Sequence, residues 1–404
     1  MRKPATVVIG DHTQGLGILR SAAVAGGDVW VVHDRSISLA RFSKYLSGYR
    51  QIGRGILSQL GQTEFAEVLL KTLLELPVEY PSLLFGVNDD IISFIYRHGK
   101  LLRQKYVVPD VRFDKIYDKY LFNSLLPDSA CIDTRLCSET EIGNLDRPHR
   151  FILKGRQGNA FRQITGEKAI RLDRLRQHDR DRLFRSLSPD QVIIQEIVET
   201  DRPVSSVCSF SVKGHTSGVF AYEKLRQHPN HFGTGTYLRS IRVDPFRPLA
   251  DYILKSMNFT GISEIEFIYD WRTETYKVIE MNPRTWKSIH FATQCGQNLV
   301  ARYLAYLSTG GTGGDDHYAC DRYWADLATD IPQMIRQMKL WPYQQDFFEC
   351  TWDRSDPWPA LVLWTLFPLM ALENGVSSIA ASVRARKSST RDFQAPARSR
   401  RPST

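Results

Sequence analysis

The stretch Ile262-Ser-Glu264-Ile-Glu266-Phe-Ile-Tyr-Asp270, followed by Tyr276-Lys-Val-Ile-Glu280-Met-Asn282-Pro-Arg284, carries the strongest structural signal in the chain. Apolar and polar residues alternate in both halves, which predicts two short strands joined by a hairpin turn at 271–275. Glu266 and Glu280 should therefore lie on neighbouring strands.

Two carboxylates and an amide oxygen on such a hairpin suit a magnesium ion. Mg²⁺ prefers hard oxygen ligands and is usually held by one or two carboxylates together with substrate phosphates. Glu266, Glu280 and Asn282 could supply these ligands around a nucleotide, and Arg284 would add a fixed positive charge. A hairpin whose acidic side chains simply face solvent explains the same residues, so the hairpin alone leaves both interpretations open.

The composition is that of an ordinary soluble protein, with 404 residues of which 42% are hydrophobic, enough for two or three domains. The six cysteines form no Cys-x-x-Cys pair, which suits a reducing compartment. The apolar run at 6–9 is too short for the core of a signal peptide. We therefore expect a cytoplasmic protein.

Most of the net charge of +9 lies in residues 383–404, which contain seven Arg or Lys residues and a single Asp. The segment is also rich in Ser, Pro and Ala, which predicts a disordered basic tail. Its charges are not regularly interleaved with aromatic residues, as stacking on bases would require, so no nucleic acid is expected as a partner.

Residues 358–372 are strongly apolar, but they are fewer than the roughly twenty that cross a bilayer, and Pro368 interrupts them. A buried helix is the favoured interpretation. The alternative is a peripheral contact with an anionic membrane, because aromatic residues here precede a basic segment.

Residues 5–110 alternate short apolar strands with helical stretches, which predicts an open α/β domain with a parallel sheet. Gly10, Gly15 and Gly17 mark the first turn from strand to helix, but they do not match the Gly-x-Gly-x-x-Gly dinucleotide signature.

Three further segments combine a strand or helix with polar residues at its end. Lys119 begins a predicted helix at 118–126, Lys154 ends a predicted strand that enters a glycine-containing loop, and a strand at 191–198 contains Gln195-Glu196. Each has an ordinary structural explanation when taken alone: a surface lysine, a hairpin loop and a buried strand.

Taken together, these segments resemble the ATP-grasp superfamily, in particular its carboxylate-amine ligase-like members. The resemblance covers residues 5–310 and rests on five motifs in the family's order. These are Asp118-Lys119-Tyr-Leu-Phe, Phe151-Ile-Leu-Lys154-Gly, Gln195-Glu196-Ile197-Val198, Ile265-Glu266-Phe and Glu280-Met-Asn282-Pro-Arg284.

The resemblance implies an α/β protein with the ATP-grasp fold, in which two α+β subdomains grip ATP after an open Rossmann-like α/β domain. We therefore expect the preceding domain at 1–112 and the ATP-grasp domain at 113–310, with a lid subdomain near 150–200. A C-terminal helical extension at 311–382 and the basic tail at 383–404 would follow, with a role in packing, dimerisation or substrate closure.

The resemblance also assigns roles to individual residues. Lys119 and Lys154 would contact phosphates, while Gln195, Glu196, Ile197 and Val198 would hold the adenine. Asp201 is the preferred ribose contact, with Glu199 as the alternative. Glu266, Glu280 and Asn282 would bind Mg²⁺ or Mn²⁺.

The chain departs from the family at one position near the metal motif. Many members carry a basic residue two positions ahead of the first metal carboxylate, where this chain has Glu264. The cation beside the transferred phosphoryl group is therefore expected from Arg284 or Arg239, with Arg242 as a further candidate.

The chemistry implied by the resemblance is phosphorylation of a carboxylate by ATP, followed by attack of an amine to give an amide, ADP and phosphate. Small-molecule carboxylate and amine substrates are the expected partners, and a homodimer is a possible assembly. A kinase without an amine acceptor, or a nucleotide-binding protein without turnover, would use the same nucleotide residues, and both stay open as alternatives.

Overall fold

The computed structural model describes residues 4–365 except 110–112, 138–141, 143–144, 230–231, 313, 337, 339–342 and 345. Within this part of the chain the strands form three sheets. The strands are β1 (Thr6–Ile9), β2 (Val29–His33), β3 (Gly48–Gln51), β4 (Ser82–Gly86), β5 (Tyr106–Val107), β6 (Thr134–Leu136), β7 (Phe151–Gly155), β8 (Ala169–Arg171), β9 (Val192–Glu196), β10 (Ser205–Val212), β11 (His215–His228), β12 (Thr234–Ile241), β13 (Gly261–Asp270), β14 (Thr275–Asn282), β15 (Tyr323–Ala325) and β16 (Phe347–Glu349). The α-helices lie at Thr13–Val24, Thr63–Glu75, Asp89–Arg97, Gly99–Leu102, Phe113–Tyr117, Lys119–Asn123, Ala160–Thr165, Gln177–Ser186, Arg247–Ser256, Ile289–Gln294, Leu299–Thr309, Leu327–Arg336 and 358–365.

The first sheet is parallel, with strand order β3-β2-β1-β4-β5. Strands β1 and β4 are buried along their whole length, as expected for a parallel sheet whose faces are both covered. The strand order reverses between β1 and β4, and ligands of open α/β sheets bind at the carboxyl ends of the strands at such a point. The predicted parallel α/β domain is confirmed.

The second sheet has the order β14-β13-β10-β11-β12-β15-β16 and is antiparallel except for its last pair. The predicted hairpin forms its edge, and Glu266 faces Glu280 across the β13–β14 pair. One face of this sheet packs with the first sheet in a common apolar core that includes Phe210 and Phe220. The opposite face packs on the helix Arg247–Ser256.

The third sheet is small and antiparallel, with order β6-β9-β7-β8. It has a core of its own, formed by Leu153, Phe161 and Leu183 among others. Strand β6 at Thr134–Leu136 belongs to this sheet, so the small sheet begins before the range of 150–200 expected for the lid.

The segment after residue 310 differs from the expected helical extension. Strands β15 and β16 add to the edge of the second sheet, and among the described residues of this segment α-helix is found at Leu327–Arg336 and 358–365. The helix at 358–365 is also less buried than predicted, because Trp358 is 61% exposed. The predicted basic tail at 383–404 lies outside the described residues.

Among the described residues, no helix is both long enough and apolar enough to cross a membrane.

Candidate active site

Four polar side chains project from one face of the β13–β14 hairpin. Glu264 is opposite Asn282 and Glu266 is opposite Glu280 in the antiparallel register. Directly opposed residues share a face, and residues two apart on a strand do as well. The register of the hairpin thus places three carboxylates and one amide on one face, and the sequence had predicted this for Glu266, Glu280 and Asn282 but not for Glu264.

Glu264 is buried beneath this group and holds two of its neighbours. The hydroxyl of Tyr222 donates to Glu264 Oε1, and Asn282 Nδ2 donates to Glu264 Oε2 at 3.0 Å. Because the amide nitrogen of Asn282 is engaged with Glu264, its carbonyl oxygen points the other way, toward Arg284. Burial and the nearby negative charge of Glu266 raise the pKa of Glu264.

Four lysines surround the two outer carboxylates. Lys224 on β11 pairs with Glu266, with Nζ 2.7 Å from Oε2. Burial disfavours the charged form of Glu280, but the positive charges of Lys119, Lys154 and Lys168 outweigh it and lower the pKa of that carboxyl. Glu280 is therefore ionised near neutral pH, and the cleft carries an excess of positive charge around it.

Lys154 lies on β7 of the small sheet, and Lys168 directly precedes β8 of the same sheet. Burial, partly offset by Glu280, lowers the pKa of Lys154 to about 8. Burial also lowers the pKa of Lys168, although this side chain stays accessible to solvent. A side chain that lines a cleft can be reached by solvent and still be surrounded by protein atoms. Lys168 has this position in the cleft between the small sheet and the second sheet.

Asp118 connects Lys119 to the loop that follows β7. Asp118 Oδ1 caps the helix Lys119–Asn123 by accepting from the backbone N–H groups of Tyr120 and Leu121. Its Oδ2 accepts from Arg156 Nε at 2.6 Å and from Gln157 Nε2 at 2.8 Å. The same buried carboxylate thus positions the start of the Lys119 helix and the loop beside Lys154.

Arg284 joins the hairpin to the first domain. Its Nε lies 2.6 Å from Asp89 Oδ1, at the start of the helix after β4. Arg284 Nη2 also donates to Asn282 Oδ1 at 3.2 Å. The cation is therefore held at the carboxyl end of the parallel sheet, next to Glu280 and Asn282.

The residues expected to hold adenine lie at the end of β9, and some of them are already bound to other residues of the protein. Gln195 shares a face of the small sheet with Lys154, because Ile152 is opposite Gln195 and Lys154 is opposite Ile193. The carboxylate of Glu196 binds Arg150 at 2.7 Å and Arg272 at 2.9 Å. Both arginines bind Oε1, and the backbone N–H of Glu196 donates to the carbonyl of Asp133 at 2.9 Å.

The remaining residues of that group follow β9 directly. The backbone N–H of Ile197 donates to the carbonyl of Arg150 at 2.7 Å, and the side chain of Val198 is buried. Asp201 is exposed in the link to β10.

Arg239 is not brought to the site, which corrects one of the two expected catalytic arginines. It is opposite Glu223 on β11 and pairs with that carboxylate at 2.6 Å. Tyr222 and Lys224, the strand neighbours of Glu223, face the cleft, so Glu223 and Arg239 face away from it. Arg242 pairs with Asp244 on the surface, so of the three candidate arginines Arg284 is the one at the cleft.

A second group of polar residues lies where the strand order of the first sheet reverses. His12 follows β1 and caps the next helix through Nδ1. It is exposed to solvent, but desolvation, followed by the positive charge of Lys287, lowers its pKa to about 4. Lys287 forms an ion pair with Asp326. Neutral imidazole and a charge pair thus border the cleft near Arg284.

The donor set fits a metal that arrives with phosphates. Among the described residues, no cluster of three or more Asp, Glu, His or Cys side chains is placed to hold a metal ion. Glu266, Glu280 and Asn282 offer two carboxylates and one carbonyl oxygen, whereas Mg²⁺ needs six oxygens and commonly takes the rest from water and nucleotide phosphates.

Lys168 and Lys224 were not identified from the sequence, whereas Asp89 belongs to one of the strand-end segments, with His12 and Lys287, that the sequence suggested for substrate binding. Lys224 and Tyr222 are two residues apart on β11, so the sequence does show that they share a face. It does not show that β10 lies between β11 and β13, and this strand order is what brings Lys224 to Glu266. Asp89 and Lys168 reach the cleft from a different domain and a different sheet.

No protein-family model matches the sequence, and no curated protein matches it. Solved structures do match its fold. The L-amino acid ligase of Bacillus licheniformis is 12% identical with a TM-score of 0.55, over 76% of this chain and 75% of that one. The N5-carboxyaminoimidazole synthetase of Staphylococcus aureus is 15% identical with a TM-score of 0.57, over 83% and 86%.

A third similar structure is the complex of Campylobacter jejuni biotin carboxylase with beta-gamma-ATP. It is 14% identical with a TM-score of 0.60, over 80% of this chain and 74% of that one. At these identities the likeness concerns the fold. An open parallel α/β domain, followed by a small antiparallel sheet and a larger sheet that face each other across a charged cleft, is the ATP-grasp fold, and this chain has it.

Proposed function

We propose that the protein is an ATP-dependent ligase that activates a carboxylate as an acyl-phosphate and joins it to an amine, with release of ADP and phosphate. The observation that carries the proposal is the register pair Glu266–Glu280 set among Lys119, Lys154, Lys168 and Lys224. Similar structures include an amino acid ligase, a carboxyaminoimidazole synthetase and a biotin carboxylase.

In this proposal the triphosphate lies over the hairpin. Lys119 and Lys154 contact its phosphates, and Arg284 faces the phosphoryl group that is transferred. Glu266, Glu280 and Asn282 would hold Mg²⁺, which would neutralise phosphate charge. Phosphoryl transfer depends mainly on positioning and on neutralising the phosphate oxygens, so this cluster of fixed charges suits the reaction.

We assign the adenine to the end of β9, where Gln195 and Val198 lie beside the backbone of Glu196 and Ile197, and the ribose to Asp201. The small sheet acts as the lid, and the ATP-grasp domain occupies about 113–310 after a preceding domain at 1–112. A closed lid excludes water, which protects an acyl-phosphate from hydrolysis.

The carboxylate and amine substrates are assigned to the switch point of the first sheet. There His12 and the Lys287–Asp326 pair border the same cleft as Arg284. A substrate bound at this edge reaches the transferred phosphoryl group without crossing the sheet, because Arg284 already bridges the two domains through Asp89.

Trapping with hydroxylamine tests the proposal. The purified protein is incubated with ATP, Mg²⁺, hydroxylamine and a pool of amino acids and small carboxylates, and hydroxamate and nucleotide products are measured together. An acyl-phosphate gives hydroxamate with equimolar ADP. AMP and pyrophosphate would reject the proposal, and ADP with a stable phosphorylated product but no hydroxamate would favour a kinase.

The hairpin provides a matched control for this assay. Glu280→Gln should abolish hydroxamate formation, whereas Glu274→Gln, at an exposed position in the same hairpin turn, should leave it unchanged.

A further inference from the structure

The loop after β7 covers residues 156–159, and we name it the β7 loop. Its first two residues donate through their side chains to Asp118. Its last residue reaches a different domain, because Asn159 Nδ2 donates to Asp90 Oδ2 at 3.0 Å. The β7 loop is therefore bound at both ends, and the Asn159–Asp90 bond joins the small sheet to the first domain.

A row of stacked rings makes a second connection between the first domain and the β7 loop. Tyr96, in the same helix as Asp90, stacks on Phe113 with ring centroids 4.2 Å apart, and Phe113 stacks on Tyr117 at 4.7 Å. Gly158 has a φ of +59°, a conformation that favours glycine, and a Cβ there would lie 2.9 Å from the hydroxyl oxygen of Tyr117. The two connections begin in one helix and reach adjacent residues of the loop.

Asp89, the residue before Asp90, binds the other side of the proposed phosphate site. Its Oδ1 lies 2.6 Å from Arg284 Nε. Burial opposes ionisation of Asp89, but the positive charge of Arg284 outweighs it and lowers the pKa of this carboxyl. Two neighbouring carboxylates at the start of one helix thus hold the hairpin, through Asp89, and the β7 loop, through Asp90.

We propose that Asp90 and Asn159 are positioning residues, which latch the β7 loop onto the first domain when the small sheet closes over ATP. Their bond joins side chains from two parts of the molecule that approach each other on closure, so it forms only while the loop is closed. The bond stabilises the closed form, in which Lys154 and Arg284 face the same phosphates. This inference rests on the proposed function, because ATP is what the closed loop covers.

Hydrogen exchange followed by mass spectrometry tests the latch without any carboxylate or amine substrate. The full chain is measured with no nucleotide and with the ATP analogue AMP-PNP and Mg²⁺, and the Kd for AMP-PNP is measured by titration calorimetry. In Asn159→Ala and in Asp90→Ala we expect exchange of the β7 loop amides to rise by about three- to tenfold. The Kd for AMP-PNP should rise by a similar factor, because less of the protein holds the loop closed.

Three further variants show whether the bond itself is responsible. Asp90→Asn removes the negative charge, as Asp90→Ala does, but keeps an oxygen that can accept from Asn159, so it should resemble the wild type. Gln163→Ala removes an exposed amide from the helix after the loop and should also resemble the wild type. The double variant Asp90→Ala with Asn159→Ala should show no larger effect than either single variant, because both remove the same bond.

Unchanged loop exchange in Asn159→Ala, or effects of the two single variants that add in the double variant, would overturn the latch. AMP-PNP that binds the wild type, Asp90→Ala and Asn159→Ala with equal affinity would overturn the latch and leave the proposed function intact. If the wild type binds no AMP-PNP, the proposed function is wrong and the latch with it. Circular dichroism of each variant confirms that it is folded.

Discussion

At the scale of single residues, Lys154 combines a buried position with a role at the proposed phosphate site. Its pKa is lowered to about 8, first by burial, so in the nucleotide-free protein it loses its proton above that pH. Phosphate oxygens favour the protonated form, and bound nucleotide therefore raises the pKa.

ATP affinity should accordingly be constant below about pH 8 and fall as the pH rises above it, by at most about tenfold per pH unit. Lys154→Arg keeps its charge throughout this range and should show no such fall. Titration calorimetry of both proteins between about pH 6.5 and about pH 9.5 measures the difference. An equal decline in both proteins would show that Lys154 does not contact the phosphates.

Glu264 determines which atom of Asn282 faces the cleft, and this makes its replacement informative. In the wild type, Tyr222 and Asn282 both donate to the carboxylate of Glu264. In Glu264→Gln the new amide N–H₂ must face one of these two donors. If Asn282 turns over in response, its carbonyl oxygen is lost to a metal. We expect the Mg²⁺ concentration that supports half-maximal ATP binding to rise by roughly 10–100-fold.

Tyr222→Phe is the matched control for Glu264→Gln. It removes one donor to Glu264 but leaves the Asn282 bond, so its effect on Mg²⁺ dependence should be much smaller. Equal effects of the two variants would contradict the positioning role of Glu264.

At the scale of elements, the sequence predicted the hairpin because alternation and a polar turn are both local signals. The same alternation could not place Arg239, because a strand pattern shows which residues share a face and not which face meets the cleft. Strands β15 and β16 are three residues each, too short for a periodic signal. Strand β15 takes its place in the sheet by pairing with β12, a distant segment, and β16 then pairs with β15.

The small sheet is joined to the hairpin by Glu196, which binds Arg150 on one side and Arg272 on the other. Arg272→Ala should loosen this link and raise the KM for ATP by about two- to fivefold with kcat little changed, because partly exposed ion pairs contribute up to about 1 kcal/mol. Arg242→Ala breaks a surface pair with Asp244 and is the control. If steady-state kinetics give an unchanged KM for ATP in Arg272→Ala, the Glu196–Arg272 pair does not help to hold the lid against the hairpin.

At the scale of the whole molecule, the segment at 351–356 packs against the first domain and is bound there by Arg20. Arg20 and Asp356 form an ion pair in which both side chains are almost fully buried. No sequence pattern indicated this contact, because the partner of Arg20 is more than three hundred residues away along the chain.

Asp356→Asn leaves the Arg20 charge buried without its partner, and should lower the free energy of unfolding by about 3–5 kcal/mol. The double variant Arg20→Met with Asp356→Leu removes both charges and should recover most of that loss. Urea unfolding followed by tryptophan fluorescence provides the comparison. A loss of less than about 1 kcal/mol in Asp356→Asn would mean that the pair is hydrated in solution.

The central claim is that the cleft between the small sheet and the second sheet consumes ATP to activate a carboxylate. Phosphorus-31 NMR of ATP and Mg²⁺ with pooled carboxylates and amines, run with the wild type, Glu280→Gln and Glu274→Gln, tests it most directly. The account predicts ADP and phosphate that appear only with the pool, are retained in Glu274→Gln and fall by roughly 10²-fold or more in Glu280→Gln. AMP and pyrophosphate, or equal turnover in Glu280→Gln, would contradict it.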